Sequence, residues 1–207
     1  MSLFKYAQNP SGGYAFVEAQ NEADAIASVG AGNYKTDYGF LHVDAPKGTG
    51  GLADYNDQST QTLPLNIAAD TWTDIPNDGN GSYTNLGSLP KDVSRLLNTA
   101  TGKLDLSKLD IGDNALIRND FTINASAADA DIDLRYVLGN GAGEYTIDRH
   151  LGTIHNALTD ERIVSPADMI YIGDDNTKDN PVKLQIKSSK AITFKNNGIA
   201  INITKGG

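Results

Sequence analysis

The chain has 207 residues, 39% of them hydrophobic, with 17 basic side chains against 26 acidic ones and no cysteine. That length holds one main core and one small unit, and the missing cysteines exclude disulfides, thiol nucleophiles and thiolate metal sites together. A net charge of −9 opposes contact with nucleic acid phosphate or anionic lipid. No apolar run approaches the ~20 residues of a membrane span, and Met1–Tyr6 lacks the charged region and apolar stretch of a secretory signal, so synthesis in a cytoplasm is expected.

Residues 1–45 read as a small α+β unit of ββαβ order. Leu3–Ala7 and Tyr14–Glu18 are predicted strands joined through Asn9-Pro10-Ser11-Gly12-Gly13, whose proline and glycines supply turn dihedrals. Asn21 is placed to cap a short helix with Glu22 and Asp24 in its positive first turn and Ala23, Ile26 and Ala27 on one face. Gly30 and Gly32 end that helix, and a third strand follows at Phe40–Val43. Eight of the fourteen Phe and Tyr residues fall before residue 60, more than so small a unit can bury. Phe4, Phe16 and Phe40 are assigned to its own core. Tyr6, Tyr14, Tyr34 and Tyr38 are assigned to docking, because tyrosine buries much area at low entropic cost and keeps a polar handle.

Residues 46–60 contain Pro46, Gly48, Gly50 and Gly51 with few apolar side chains, which predicts a flexible or extended linker. Residues 61–207 then alternate short apolar-polar runs with Gly, Asn, Asp or Pro breaks, the pattern of a β-sandwich. Strands are predicted at 61–67, 71–75, 103–106, 115–124, 131–138, 144–148, 154–158, 168–172, 182–187, 191–194 and 199–204. A single helical turn is expected at 90–97. Alternation is clearest where Ile132, Leu134, Tyr136 and Leu138 oppose Asp131, Asp133, Arg135 and Val137, and where Val182, Leu184 and Ile186 oppose Lys183, Gln185 and Lys187. Ile117, Phe121 and Ile123 with Ile199, Ile201 and Ile203 supply two further buried stripes.

No catalytic constellation emerges, and no enzyme activity, cofactor or metal is expected. His150 and His155 are spaced neither for one helix face nor for one strand face, and His42 stands alone. There is no GxSxG elbow, and Gly139–Gly143 follows a strand without opening a helix, so it reads as a hairpin turn and not a phosphate loop. Asp129, Asp131 and Asp133 alternate as solvent-facing strand acids do. Asp174, Asp175, Asn176, Asp179 and Asn180 crowd one loop without calcium-hand spacing. The single tryptophan, Trp72, is expected to plug the sandwich end or a subunit interface. Three turns offer exposed polar groups for a ligand: Asn77, Asp78 and Asn80 in one, Asn140 in the second, and Asp174, Asp175 and Asn176 in the third.

Four phrases carry a resemblance. Leu63–Gly79 (LPLNIAADTWTDIPNDG) resembles the opening of C-terminal modules of tailed-bacteriophage virion proteins, and Ile117–Ile123, Leu134–Tyr145 and Ile172–Ile186 follow it in the same order and spacing. The resemblance covers residues 62–204 and implies a jelly-roll head of the tumour-necrosis-factor (TNF) type, commonly a homotrimer, carried on capsid decoration proteins or head fibres. It further implies a major capsid protein or another virion protein as partner, and a place on the capsid surface of a virion assembled in a bacterial cytoplasm. The alternative it leaves open is a tail-fibre or receptor-binding tip whose loops take a host glycan or surface protein.

Overall fold

The computed structural model describes residues 2–7, 14–19, 41–43, 50–90 and 93–206, the first three of these segments as backbone only. The chain divides into two units, Met1–Lys47 and Gly48–Gly207. In the first, β1 (Ser2–Ala7), β2 (Tyr14–Ala19) and β3 (Leu41–Val43) form an antiparallel sheet of order β2-β1-β3. The register runs from Ser2 opposite Ala19 to Ala7 opposite Tyr14, with Phe4 opposite His42 on the other edge of β1. The expected helix from Asn21 lies outside the described residues.

The second unit is an antiparallel β-sandwich. Its strands are β4 (Gly50–Tyr55), β5 (Leu65–Ile67), β6 (Thr73–Asp74), β7 (Asn85–Ser88), β8 (Leu97–Asn98), β9 (Lys103–Leu104), β10 (Asn114–Ala125) and β11 (Ala130–Leu138). They continue with β12 (Tyr145–Ile154), β13 (Asp160–Val164), β14 (Asp168–Tyr171), β15 (Lys183–Ser188) and β16 (Ile192–Thr204). Two short helices, α1 (Ser59–Thr62) and α2 (Asp175–Asp179), interrupt them. The larger sheet runs β13-β10-β16-β4-β7, with β14 also on β10 and β5 also on β16, and the smaller runs β12-β11-β15-β6.

The pairing identifies a jelly roll. Treating β13 and β14 as one interrupted strand and β5 as the continuation of β4, the first strand pairs with the last (β4 with β16) and the second with the seventh (β6 with β15). The third pairs with the sixth (β10 with β13 and β14), and the fourth with the fifth (β11 with β12). That is a long hairpin rolled up so that its two halves close as facing sheets. The core between them follows from period-two alternation: Ile132, Leu134 and Tyr136 of β11 and Leu184 and Ile186 of β15 meet Ile117, Phe121 and Ile123 of β10 and Phe194, Ile199 and Ile201 of β16, all buried. The Phe121 and Phe194 rings sit 5.1 Å apart, tilted by 49°. Val137, expected on the wet face, is buried as well.

Several expectations change. Residues 50–60 are no linker: β4 lies between β16 and β7, with Ala53 and Tyr55 in the core, and α1 follows it. Asp57, almost wholly buried, accepts from the backbone of Thr60 at 2.7 Å, from the Ser59 hydroxyl at 2.8 Å and from the backbone of Asp78 at 2.9 Å, which pins the start of α1. Of the expected turn at 90–97, the described residues show a bond from the Val93 amide to the Pro90 carbonyl, and Leu97 opens β8. The strand expected at 144–148 runs on to Ile154 as β12, with a bulge in which Ile132 faces Gly152 and Asp133 faces His150, leaving Leu151 extra, whereas residues 155–158, expected as a strand, form the turn before β13.

Candidate assembly surface and binding loops

The outer face of the larger sheet departs from what water favours. Because Ala115 and Ile117 point into the core, Asn114, Leu116 and Arg118 point outward, and β10 is apolar on both sides at this level. The register continues Leu116 into Met169 of β14 on one side and Asn202 of β16 then Leu52 of β4 on the other. Tyr171 stands on the next rung beside Asn114. Leu52, Leu116, Met169 and Tyr171 are all exposed, Met169 by 60%. Exposed apolar side chains thus recur across three strands, interrupted by Asn202 between Leu116 and Leu52, a pattern of the kind that marks a contact surface.

The rung on the other side is charged. Arg118, Ala200 and Asp54 lie across β10, β16 and β4, and Arg118 makes no hydrogen bond or ion pair among the described residues. Burial pushes the Asp54 carboxyl up despite the Arg118 charge. One step further, Asp120 is held below the ordinary carboxylate range, chiefly by hydrogen bonding from Arg162, with Asn197 donating to it at 2.9 Å.

Of the three turns read as binding loops, the structure joins two. The Asn140 amide donates to Asn176 Oδ1 at 3.1 Å, Asn176 Nδ2 donates to the Gly143 carbonyl at 2.9 Å, and the Tyr145 hydroxyl meets Thr177 Oγ1 at 3.0 Å. Gly139 closes this clasp with φ +74; a Cβ there would sit 2.4 Å from Asn176 Nδ2 and 2.6 Å from the Gly143 carbonyl oxygen. The crowd of acids after it is a capped helix and not a free loop. Asp174 accepts from the Thr177 amide at 2.7 Å, a bond that holds its carboxyl low, and Asp175 lies in the first turn of α2.

The third turn is not an open binding loop. Asn77 is buried, donating to the Tyr55 carbonyl at 3.1 Å and accepting from the Gly79 amide at 2.8 Å. Asp78 accepts from the backbone of Gln58 at 2.9 Å and of Asn80 at 3.0 Å, so this turn locks the β4–α1 segment in place, with only Asn80 fully exposed. Of the docking tyrosines, Tyr6 pairs in register with Ala15 and Tyr14 with Ala7, while Tyr34 and Tyr38 lie outside the described residues.

The alternating acids in and just before β11 pair with side chains in and just after β12 and with Lys187 of β15. Asp129 meets His155 at 2.8 Å, Asp131 accepts from Thr153 at 2.7 Å, and Asp133 meets His150 at 3.0 Å and Lys187 at 3.2 Å. Among the described residues no group of three or more His, Cys, Asp or Glu side chains converges as a metal site would require. Trp72 does not plug the sandwich end. Its ring lies under Arg135 at 4.2 Å and Lys187 at 4.8 Å, on the outer face of the smaller sheet.

Sequence reasoning missed two buried polar contacts. Asn119 donates to the Tyr136 hydroxyl at 2.6 Å in the core, and burial, with the Asp168 charge second, pushes that hydroxyl up. Asp168, buried at the head of β14, pairs with Arg149 of β12 and so ties the two sheets together. Neither carries a local signal, since each partner lies on a different strand.

No family model and no curated protein matches the chain. Solved structures with some likeness include the Eiger TNF of S. frugiperda, at 12% identity over 77% of this chain and 94% of that one, with a TM-score of 0.41. A chain of the infectious bursal disease virus Gt strain matches at 11% identity over 97% of this chain and 42% of its own length, with a TM-score of 0.41. The PRD1 vertex protein matches at 15% identity over 79% of this chain and all of that one, with a TM-score of 0.34. The fold rests on the strand pairing itself.

Proposed function

We propose that this chain is a non-enzymatic structural protein of a tailed-phage virion, a capsid decoration protein or head fibre whose jelly roll forms a homotrimer and whose N-terminal unit docks on the major capsid protein or another virion protein. The observation that carries the reading is the row of Met169, Leu116 and Leu52 in register across the outer face of the larger sheet, with Tyr171 beside it. A second copy of the chain fits that face. The same surface carries Arg118, with no hydrogen-bond or ion-pair acceptor among the described residues, on a rung with Asp54, charges available to fix the orientation of a second copy.

The phrases that resemble virion modules support the same reading. Leu134–Tyr145 and Ile172–Ile186 are far apart in sequence, yet they meet in the Asn140–Asn176 clasp, so the two phrases describe one structural unit. Trivalency would multiply weak contacts with a capsid lattice through effective concentration.

Light scattering after gel filtration tests the assembly. The full chain is expected at three times its 22.0 kDa, and Leu116→Asp with Met169→Asp is expected to reduce it to a monomer that keeps its circular dichroism spectrum. A monomeric parent chain would overturn the trimer. Docking is tested by capsid occupancy of Tyr6→Ala and Tyr14→Ala, and normal occupancy by both would remove those residues from it.

A further inference from the structure

The larger sheet is broken at one level on two neighbouring strands. The first strand stops at Tyr55 and resumes as β5 only after α1, and β16 carries a bulge where Asp120 pairs with Gly198 but Phe121 with Asn196. The extra residue is Asn197. While Asn196 turns into the core, Asn197 projects to the outer surface, donating to Asp120 and Thr122 and accepting from Gln61 Nε2 at 3.2 Å. Bulges that re-aim one side chain are common beside functional sites.

The two irregularities open a groove of about 270 Å³ lined by Asn56, Gln58, Gln61, Asn197, Ser82 and Tyr83. Amides dominate its lining, with Asp57 in the wall. Four of these side chains are planar amides, and the nitrogens of Asn56, Gln58 and Gln61 each already donate within the chain, to Asp54 at 2.7 Å, Thr62 at 3.2 Å and the Asn196 carbonyl at 2.9 Å. Their side-chain carbonyl oxygens accept nothing among the described residues. At the rim Tyr83 is 82% exposed, a flat aromatic face left open by the described residues.

We infer that this groove is a binding site for a neutral oligosaccharide. Open amide acceptors call for a ligand rich in hydroxyl donors, and an exposed aromatic face calls for one that also has an apolar side, a combination that pyranose rings possess. An anionic ligand is disfavoured by Asp57 in the groove wall and by the chain's net charge of −9. The groove lies at the Tyr55 end of β4, away from the rung that holds Leu52, so the inference does not depend on the trimer.

The test uses the full chain on an array of neutral and uronic-acid oligosaccharides, followed by NMR titration with the strongest neutral binder. Binding is expected on the neutral set, unaffected by salt, weakened about tenfold in Tyr83→Ala and again in Gln61→Ala, and unchanged in Asn140→Ala. Thermal unfolding of Tyr83→Ala is expected to match the parent. No neutral binder, binding confined to uronic acids, or binding that survives both groove substitutions or is lost in Asn140→Ala would each overturn the assignment.

Discussion

Replacing Gly139 by alanine tests the clasp between the two distal loops. At φ +74 any side chain costs about 1–2 kcal/mol in backbone strain. The new Cβ would also stand 2.4 Å from Asn176 Nδ2, so the amide must leave, taking with it the bonds to the Gly143 carbonyl and from the Asn140 amide. Two partly exposed bonds contribute about 1–2 kcal/mol together, which puts Gly139→Ala at about 2–4 kcal/mol. Asn176→Ala loses the same bonds without the strain and should cost about 1–2 kcal/mol. Because the shared bonds can be lost only once, the double variant is expected to be no less stable than Gly139→Ala alone, a coupling of about 1–2 kcal/mol. Urea unfolding of the four proteins measures this. Additive losses, or a Gly139→Ala cost below about 0.5 kcal/mol, would refute the clasp as drawn.

Other outcomes follow from other parts of the molecule. A chain starting at Gly48 is expected to fold and one starting at Thr60 to fail, because the latter lacks β4 and the buried Ala53 and Tyr55; equal melting temperatures would show β4 to be dispensable. Asp113 is held below its ordinary 3.8: burial raises it, but Lys205 and the amides of Asp110 and Gly206 outweigh that. Its stabilisation is therefore present above 3.8 and lost as pH falls through the lower folded value, and Asp113→Asn should flatten the acid limb of a stability-pH curve; an unchanged limb would contradict this. Leu158 is 76% exposed at φ +58, so Leu158→Asn should stabilise by about 0.5–1 kcal/mol in chemical denaturation, and a loss would mean that its side chain is better packed than it appears. Arg135→Ala should make the single tryptophan more accessible to acrylamide, a neutral quencher, and unaltered quenching would deny the stacking.

What could be read from the residues in order was the class of the fold and the inward side of its strands. A strand's side chains alternate with period two whatever its neighbours are, so β11 and β15 declare their buried faces locally, and Asn, Asp and Gly clusters mark the breaks between them. Neighbours are another matter, because alternation carries no information about which strand lies alongside. The segment read as a linker shows the cost: Gly50 and Gly51 look like flexibility, yet Cβ atoms there would sit 2.1 Å from the Ile203 carbonyl oxygen and 2.3 Å from that of Ser88. They are glycines because strands crowd them on either side. Asn77 likewise reads as a turn residue and is buried because the Tyr55 carbonyl, 22 residues earlier, needs a donor. The apolar row on the larger sheet and the amide groove belong wholly to the tertiary structure, since each gathers residues from separate strands and loops whose local patterns give no sign of a shared surface.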